Sequence, residues 1–201
     1  MDIELTIDDK SEILRYLGFR NNELTEKVEG DIQDCIALTN QVMNVATVWR
    51  LFDIDYNEEG TLIGENRFLL PGKSLVKHLN GARKAAFLGL TVGSAFDENV
   101  NKLMISDPGK GVVLNSCGIT LVEKAADMLQ KEIDDSLKDY HTGVRFSPGY
   151  GDLPLETQEF FISVLDATRR AGIRLNRNML MNPMKSVTAI AGIYKNEETN
   201  E

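Results

Sequence analysis

The segment Arg145-Phe146-Ser147-Pro148-Gly149-Tyr150 sets several chemically capable groups on one short stretch of chain. Pro148 presets φ for the first corner of a turn and Gly149 accepts the positive φ of the second, so Pro-Gly predicts a type II turn. Gly149 also lets a flat ligand approach bare backbone. Arg145 offers a planar fork that can hold a carboxylate through two hydrogen bonds. Tyr150 adds an aromatic face with a polar tip. Read alone, the same six residues are more simply a surface turn after a strand with Arg145 solvated, because Pro-Gly is common loop punctuation.

Two further segments could complete a site. In the helix around Glu123, the residues Ile119, Val122, Ala126, Leu129 and Ile133 form one apolar stripe. Glu123 falls at the edge of that stripe, beside Gln130. A carboxylate there can be partly desolvated and face a pocket, or it can be an ordinary boundary glutamate. In Met181-Asn182-Pro183-Met184-Lys185-Ser186-Val187, Pro183 breaks any helix before it and Ser186 begins a strand. That connection either contributes to a pocket or simply holds the last strand in register.

The elements that must position these groups can be read from hydrophobic period and turn chemistry. A short helix is expected from Ser11 to Leu17, capped by Ser11 and stopped by Gly18, and a longer one from about Asn22 to Asn44. Val45 to Tyr56 is rich in β-branched and aromatic residues and predicts a strand. Asn57 to Gly60 forms a turn into a second strand, Thr61 to Phe68, and Leu69-Leu70-Pro71-Gly72 ends the hairpin. Ser74 is expected to cap a short helix. Lys84 to Val92 reads as a buried strand, and helices follow from Gly93 to Met104 and from Asp107-Pro108-Gly109 to Leu137. A strand at Gly143 to Phe146, a helix from Pro154 to Arg170 stopped at Gly172, and a last strand from Ser186 to Ile193 complete the chain. The polar tail from Lys195 to Glu201 predicts disorder. Helices of varied length separate the strands without a repeated βαβ unit. The expected fold is therefore α+β, a mainly antiparallel or mixed sheet with helices packed around it, in one unit over residues 1–201.

Composition bounds the function. With 31 acidic against 22 basic residues in 201, the net charge is −9. That balance argues against nucleic acid, whose backbone needs a basic stripe, and against anionic membranes. Cys35 and Cys117 are the only cysteines, and with His78 and His141 they show no ligand spacing, so no metal site is expected. Buried reduced thiols and an amino terminus without a basic-then-apolar leader point to the cytoplasm. Gly89-Leu90-Thr91-Val92-Gly93 lacks the third glycine and acidic residue of a dinucleotide loop, and Gly72-Lys73-Ser74 lacks the leading glycine of a phosphate loop. Trp49 reads as core.

Together the three segments resemble the activation domain of cobalamin-dependent methionine synthase, whose fingerprint Arg-x-x-x-Gly-Tyr is matched by Arg145, Gly149 and Tyr150, with Pro148 agreeing. Pro154 and Thr157 look like the family's downstream pair. The run Leu121 to Leu129 looks like its upstream helix, with Glu123 on the ligand-contacting glutamate, and Met181-x-Pro183-x-x-Ser186-Val187 is similar as well. Leu14 to Ile54 and Leu75 to Gly93 resemble the short, stand-alone members. The family's early Asp-Trp-Thr-Pro segment is missing, and Tyr194 is the one stand-in for its late tyrosine.

The resemblance implies a site for S-adenosylmethionine built from Glu123, Arg145, Pro148, Gly149, Tyr150 and Ser186. Arg145 would hold the carboxylate and Glu123 would accept from the ammonium. The Pro148-Gly149 backbone would face the nucleoside, with Tyr150 packing on it. The reaction implied is reductive methylation of cob(II)alamin. The reduced cobalt is itself the nucleophile, so no general base is needed and the module's work is positioning. The chain lacks the Asp-x-His-x-x-Gly signature of a cobalamin module, so cobalamin must be supplied by a partner protein. The partners implied are a methionine synthase lacking its own activation domain and a flavodoxin or ferredoxin as electron donor. The chain would then be an accessory subunit. Two narrower roles share these features: a non-catalytic small-ligand-binding module, and a docking subunit for a corrinoid protein.

Overall fold

The computed structural model describes residues 2–19 and 24–196. The chain opens with a 3-10 turn, Ile7–Asp9, that runs into α1 (Lys10–Tyr16). Asp9, not Ser11, occupies the N-cap, and Asp9 Oδ2 accepts from the Thr6 N–H at 2.8 Å. The longer helix, α2 (Glu26–Val42), begins at Thr25, whose Oγ1 accepts from the Val28 N–H at 3.4 Å. Its expected start near Asn22 lies outside the described residues, as does the tail from residue 197.

β1 (Ala46–Tyr56) follows as expected. The second strand does not run from Thr61 to Phe68. It divides into β2 (Gly60–Ile63) and β3 (Phe68–Pro71) around a turn at 64–67, where the Arg67 N–H donates to Gly64 O at 3.1 Å. Gly64 and Arg67 both have positive φ there, which ends extended pairing. Leu70, expected to lie beyond the hairpin, is a fully buried strand residue.

α3 (Lys73–Leu79) is also capped differently from expectation. Ser74 lies inside the helix, and the Asp152 carboxylate, distant in sequence, accepts from the Lys73 and Ser74 N–H groups at 2.8 and 2.9 Å. These backbone donors hold the Asp152 carboxyl below its usual range.

β4 (Lys84–Thr91), α4 (Ser94–Ser106) and α5 (Pro108–Leu137) lie close to their expected bounds. Asp107 caps α5 by accepting from the Lys110 N–H at 3.2 Å, with Pro108 in the first turn. The strand expected at Gly143 to Phe146 forms earlier, as β5 (Tyr140–Thr142), with one isolated bridge between Phe146 and Ile190. The helix expected from Pro154 to Arg170 is broken at Asp166 into α6 (Gln158–Leu165) and α7 (Ala167–Ala171), because Asp166 adopts the left-handed conformation. A small hairpin, β6 (Arg174–Leu175) with β7 (Met181–Asn182), precedes β8 (Ser186–Lys195).

The main sheet has the order β3-β2-β1-β4-β8-β5, and every pair is antiparallel. The fold is thus α+β with an antiparallel sheet. Side chains of β4 alternate between its faces, as strand geometry requires. Ala86, Leu88 and Leu90 join the core under α1, α2, α4 and α5, whereas Ala85 and Phe87 join the core under α3, α6 and α7. Phe87 is fully buried, and burial of such a side chain stabilises a fold by about 1.5–3 kcal/mol. On the first face α4 lies so near α5 that a Cβ at Gly118 would come within 2.3 Å of the Phe96 ring, so this crossing demands glycine.

Cys35 and Cys117 are buried free thiols, as expected. Burial pushes Cys35 up to about 11 and Cys117 up to about 12. Trp49 is partly buried against the first core.

Candidate functional site

After β5 the chain follows β8 without forming a continuous ladder. The Gly143 N–H donates to Gly192 O and the Phe146 N–H to Ile190 O, both at 2.8 Å. Between these anchors Arg145 is carried over the C-terminal half of α5. There its Nη1 donates to Gln130 Oε1 at 2.9 Å and lies 2.8 Å from Asp127 Oδ1, while Nη2 lies 3.3 Å from Glu123 Oε2. The three partners are at positions i, i+4 and i+7 of α5, one face of a helix. Gln130 is positioned in turn by donating from Nε2 to Gly143 O at 2.6 Å.

The Arg145 side chain is 20% exposed, Glu123 49% and Asp127 72%. Glu123 therefore lines the cleft at the edge of the apolar stripe, with about half of its side chain covered. The cluster sets one guanidinium against two carboxylates. These residues, with His141, Thr142 and Tyr150 among others, line a cleft of about 680 Å³.

The Pro-Gly turn forms as expected. The Tyr150 N–H donates to Ser147 O at 3.2 Å, and Gly149 has φ +88°. A Cβ at Gly149 would meet only Leu155 Cδ1, at 3.5 Å, so backbone conformation rather than crowding selects glycine, and the surface above it is open. Pro148 is buried. Tyr150 is 63% exposed and stands edge-on to Phe146, with ring centroids 6.1 Å apart. Phe146 is braced by His78, whose Nε2 lies 2.7 Å from Val144 O.

On the other side of Tyr150 is a second cleft of about 460 Å³. Ser147, Tyr150 and Val187 line both. Its walls come from Pro148, Leu155, Gln158, the 179–181 segment, Met184 and the start of β8. Ser186 lies on its wall, but the hydroxyl is turned inward, 2.7 Å from Pro183 O and 2.8 Å from Thr91 Oγ1. Thr157 and Pro154 brace the approach to α6, Thr157 Oγ1 donating to Pro154 O at 2.6 Å. Tyr194 lines neither cleft, and its hydroxyl donates to Leu79 O at 2.6 Å.

The fold thus brings Glu123, Arg145 and Tyr150 to one cleft and Pro148, Tyr150 and Ser186 to the next, with Gly149 in the turn between. Sequence reading overlooked Asp127 and Gln158. The first could have been found from its helical spacing to Glu123. The second becomes visible only when α6 is placed against β8.

Comparison with known proteins bears on the fold and on the stretch that carries the clefts. Residues 120–200 match the family model of the vitamin B12 dependent methionine synthase activation domain, and the lining of both clefts falls within that stretch. No curated protein matches the sequence. Among solved structures, the MetH reactivation domain bound to AdoHcy is similar with a TM-score of 0.67 and 14% identity, covering 94% of this chain and 77% of that one. At such identity the likeness establishes the fold. Among the described residues no helix is long and apolar enough to cross a membrane. In sequence over residues 120–200, and in fold over almost its whole length, this chain is similar to the activation domain of vitamin B12 dependent methionine synthase.

Proposed function

We propose that this chain binds S-adenosylmethionine across the two joined clefts and acts as a stand-alone reactivation module, one unit over its whole length. It would support reductive methylation of cob(II)alamin on a separate methionine synthase that lacks its own activation domain. The observation that carries this reading is Arg145 held against Glu123 and Asp127 in a cleft that continues past Tyr150 into an apolar one.

The residues present suit the ligand. Each cleft falls in the range of about 300–1,000 Å³ usual for small-molecule sites. Arg145 would take the ligand's carboxylate once Asp127 turns toward solvent, a small rearrangement because the Asp127 side chain is 72% exposed. Glu123 would accept from the ammonium. Tyr150 would pack beside the nucleoside, over the open backbone of Gly149, with Pro148 and Ser186 shaping the adjoining wall. The bound ligand supplies a methyl group on a sulfonium. The chain's residues orient that group and keep it in line, work that lowers a barrier without proton transfer. Cobalamin would come with the partner, and the electron from a flavodoxin or ferredoxin. The AdoHcy held by the structurally similar reactivation domain supports this assignment.

One observation favours a second reading, a docking subunit for a corrinoid protein that binds no small ligand: Arg145 is already satisfied by three internal partners. Thermal unfolding separates the two. A ligand at a hundred times its Kd adds about 2.7 kcal/mol of stability. A rise in Tm with S-adenosylmethionine is expected, and no shift at millimolar ligand would leave the docking role. Methyl transfer itself is measured with a cob(II)alamin-loaded synthase, a reductant and this chain.

A further inference from the structure

The apolar cleft contains a buried amide whose bonding capacity is half used. Gln158, the first residue of α6, is 3% exposed and lines that cleft. Its Nε2 donates to Met181 Sδ at 3.4 Å and to Thr188 Oγ1. A thioether sulfur can only accept, so the contact with Met181 fixes which end of the amide is nitrogen. Both N–H groups are then occupied. The carbonyl Oε1 receives no side-chain or turn hydrogen bond among the described residues, yet Thr61 Oγ1 is the one described side-chain polar atom that is both sealed and unpaired. Gln158 Oε1 therefore keeps access to the cleft, as an acceptor pinned from behind.

We infer that Gln158 reads the base of the bound nucleoside, its Oε1 accepting from the exocyclic amino group of an adenine ring. This rests on the proposed S-adenosylmethionine site. The charged cleft claims the amino-acid end of such a ligand, which leaves the neutral, flat end for the cleft on the far side of Tyr150. Leu155, Met179, Leu180 and Met184 give that cleft adaptable apolar walls suited to a ring face. In such walls a fixed acceptor discriminates sharply, because a ligand lacking the matching donor leaves it unpaired. A base with a 6-oxo group would set acceptor against acceptor.

The test compares S-adenosylhomocysteine with S-inosylhomocysteine, which differ at that position, by titration calorimetry beside S-adenosylmethionine. The wild-type chain is expected to prefer the amino form by about tenfold or more, the value of one hydrogen bond made against one left unmade. Gln158→Met should bring the ratio to about one. Met181→Leu, which frees the amide to turn over, is a milder variant expected to lower it. A wild-type ratio near one overturns the inference whether or not a variant folds, and so does a folded Gln158→Met that keeps the preference. Binding of S-adenosylmethionine without base preference removes this inference alone, whereas no binding of any of the three removes the proposed site with it.

Discussion

The clefts on either side of Tyr150 are built by opposite means. One is walled by charges carried on a single helix face, with Asp127 largely in solvent, Glu123 half exposed and Arg145 mostly covered. The other is walled by Leu155, Met179, Leu180 and Met184 around an amide that is almost wholly buried. Charges in an open cleft attract over a distance but are screened, and they yield to a better partner. A buried amide attracts nothing from afar and rejects whatever cannot pair with it. A molecule with a zwitterionic end and a flat neutral end would meet each where it is best discriminated. The difference between the clefts thus assigns affinity to one and selectivity to the other.

Three measurements would break or sharpen that division. The largest effect is expected from Arg145→Ala, which removes the carboxylate partner and leaves Glu123 and Asp127 side by side on α5 without a cation between them. It should abolish the Tm rise given by S-adenosylmethionine, a loss of about 2–5 kcal/mol in binding, and Glu123→Gln should weaken the rise without abolishing it. Wild-type binding by Arg145→Ala would sink the assignment of the charged cleft.

An intermediate effect is expected from ionic strength. Raising salt from 0.15 M toward 1 M shortens the screening length from about 8 Å to about 3 Å. Binding of S-adenosylmethionine should weaken several-fold, while 5′-methylthioadenosine, which lacks the amino-acid end, should hold its affinity. Equal salt dependence of the two would erase the distinction between the clefts.

The smallest effect is expected from Asp127→Asn. It frees Arg145 from an internal competitor, which helps any ligand carboxylate, but it also removes a negative charge that favours a cationic ligand. The ratio of S-adenosylmethionine to S-adenosylhomocysteine affinity should fall about threefold, consistent with the ~0–1 kcal/mol of an exposed pair. Calorimetric titration of both ligands reads this ratio, and an unchanged ratio would show that Asp127 senses no ligand charge.

How far the sequence disclosed this arrangement depended on whether the deciding interaction was local. The start of α5 was legible because Asp107 caps it and Pro108 fixes its first turn within neighbouring residues. β4 was legible because a short apolar run bounded by glycines fits a buried strand. The turn at 147–150 was legible because Pro148 and Gly149 determine their own backbone angles. Where the partner lay far along the chain, reading failed. Nothing near Ser74 announces that Asp152 will cap α3, and nothing at Asp166 marks a left-handed residue between two helices. The break of the second strand had a signal, Gly64, inside a run whose pattern still looked extended. The site divides along the same line. Arg145 and Tyr150 stood out by type and spacing, whereas the role of Gln158 depends on Met181 and Thr188 reaching it from other elements.

The place of β8 in the sheet has a practical consequence for anyone wishing to isolate or transplant the site. The matched stretch, residues 120–200, contains every residue that lines the two clefts and looks portable. Yet β8 is an interior strand bonded along Ser186 to Gly192 by β4, which lies outside that stretch, and α5 would be cut at its middle, just past the Gly118 crossing. Excising the stretch would bare a long apolar strand edge, the kind of surface that recruits other chains into aggregates. The boundary of recognisable sequence and the boundary of what can fold are different lines in this molecule, and any truncation should follow the second.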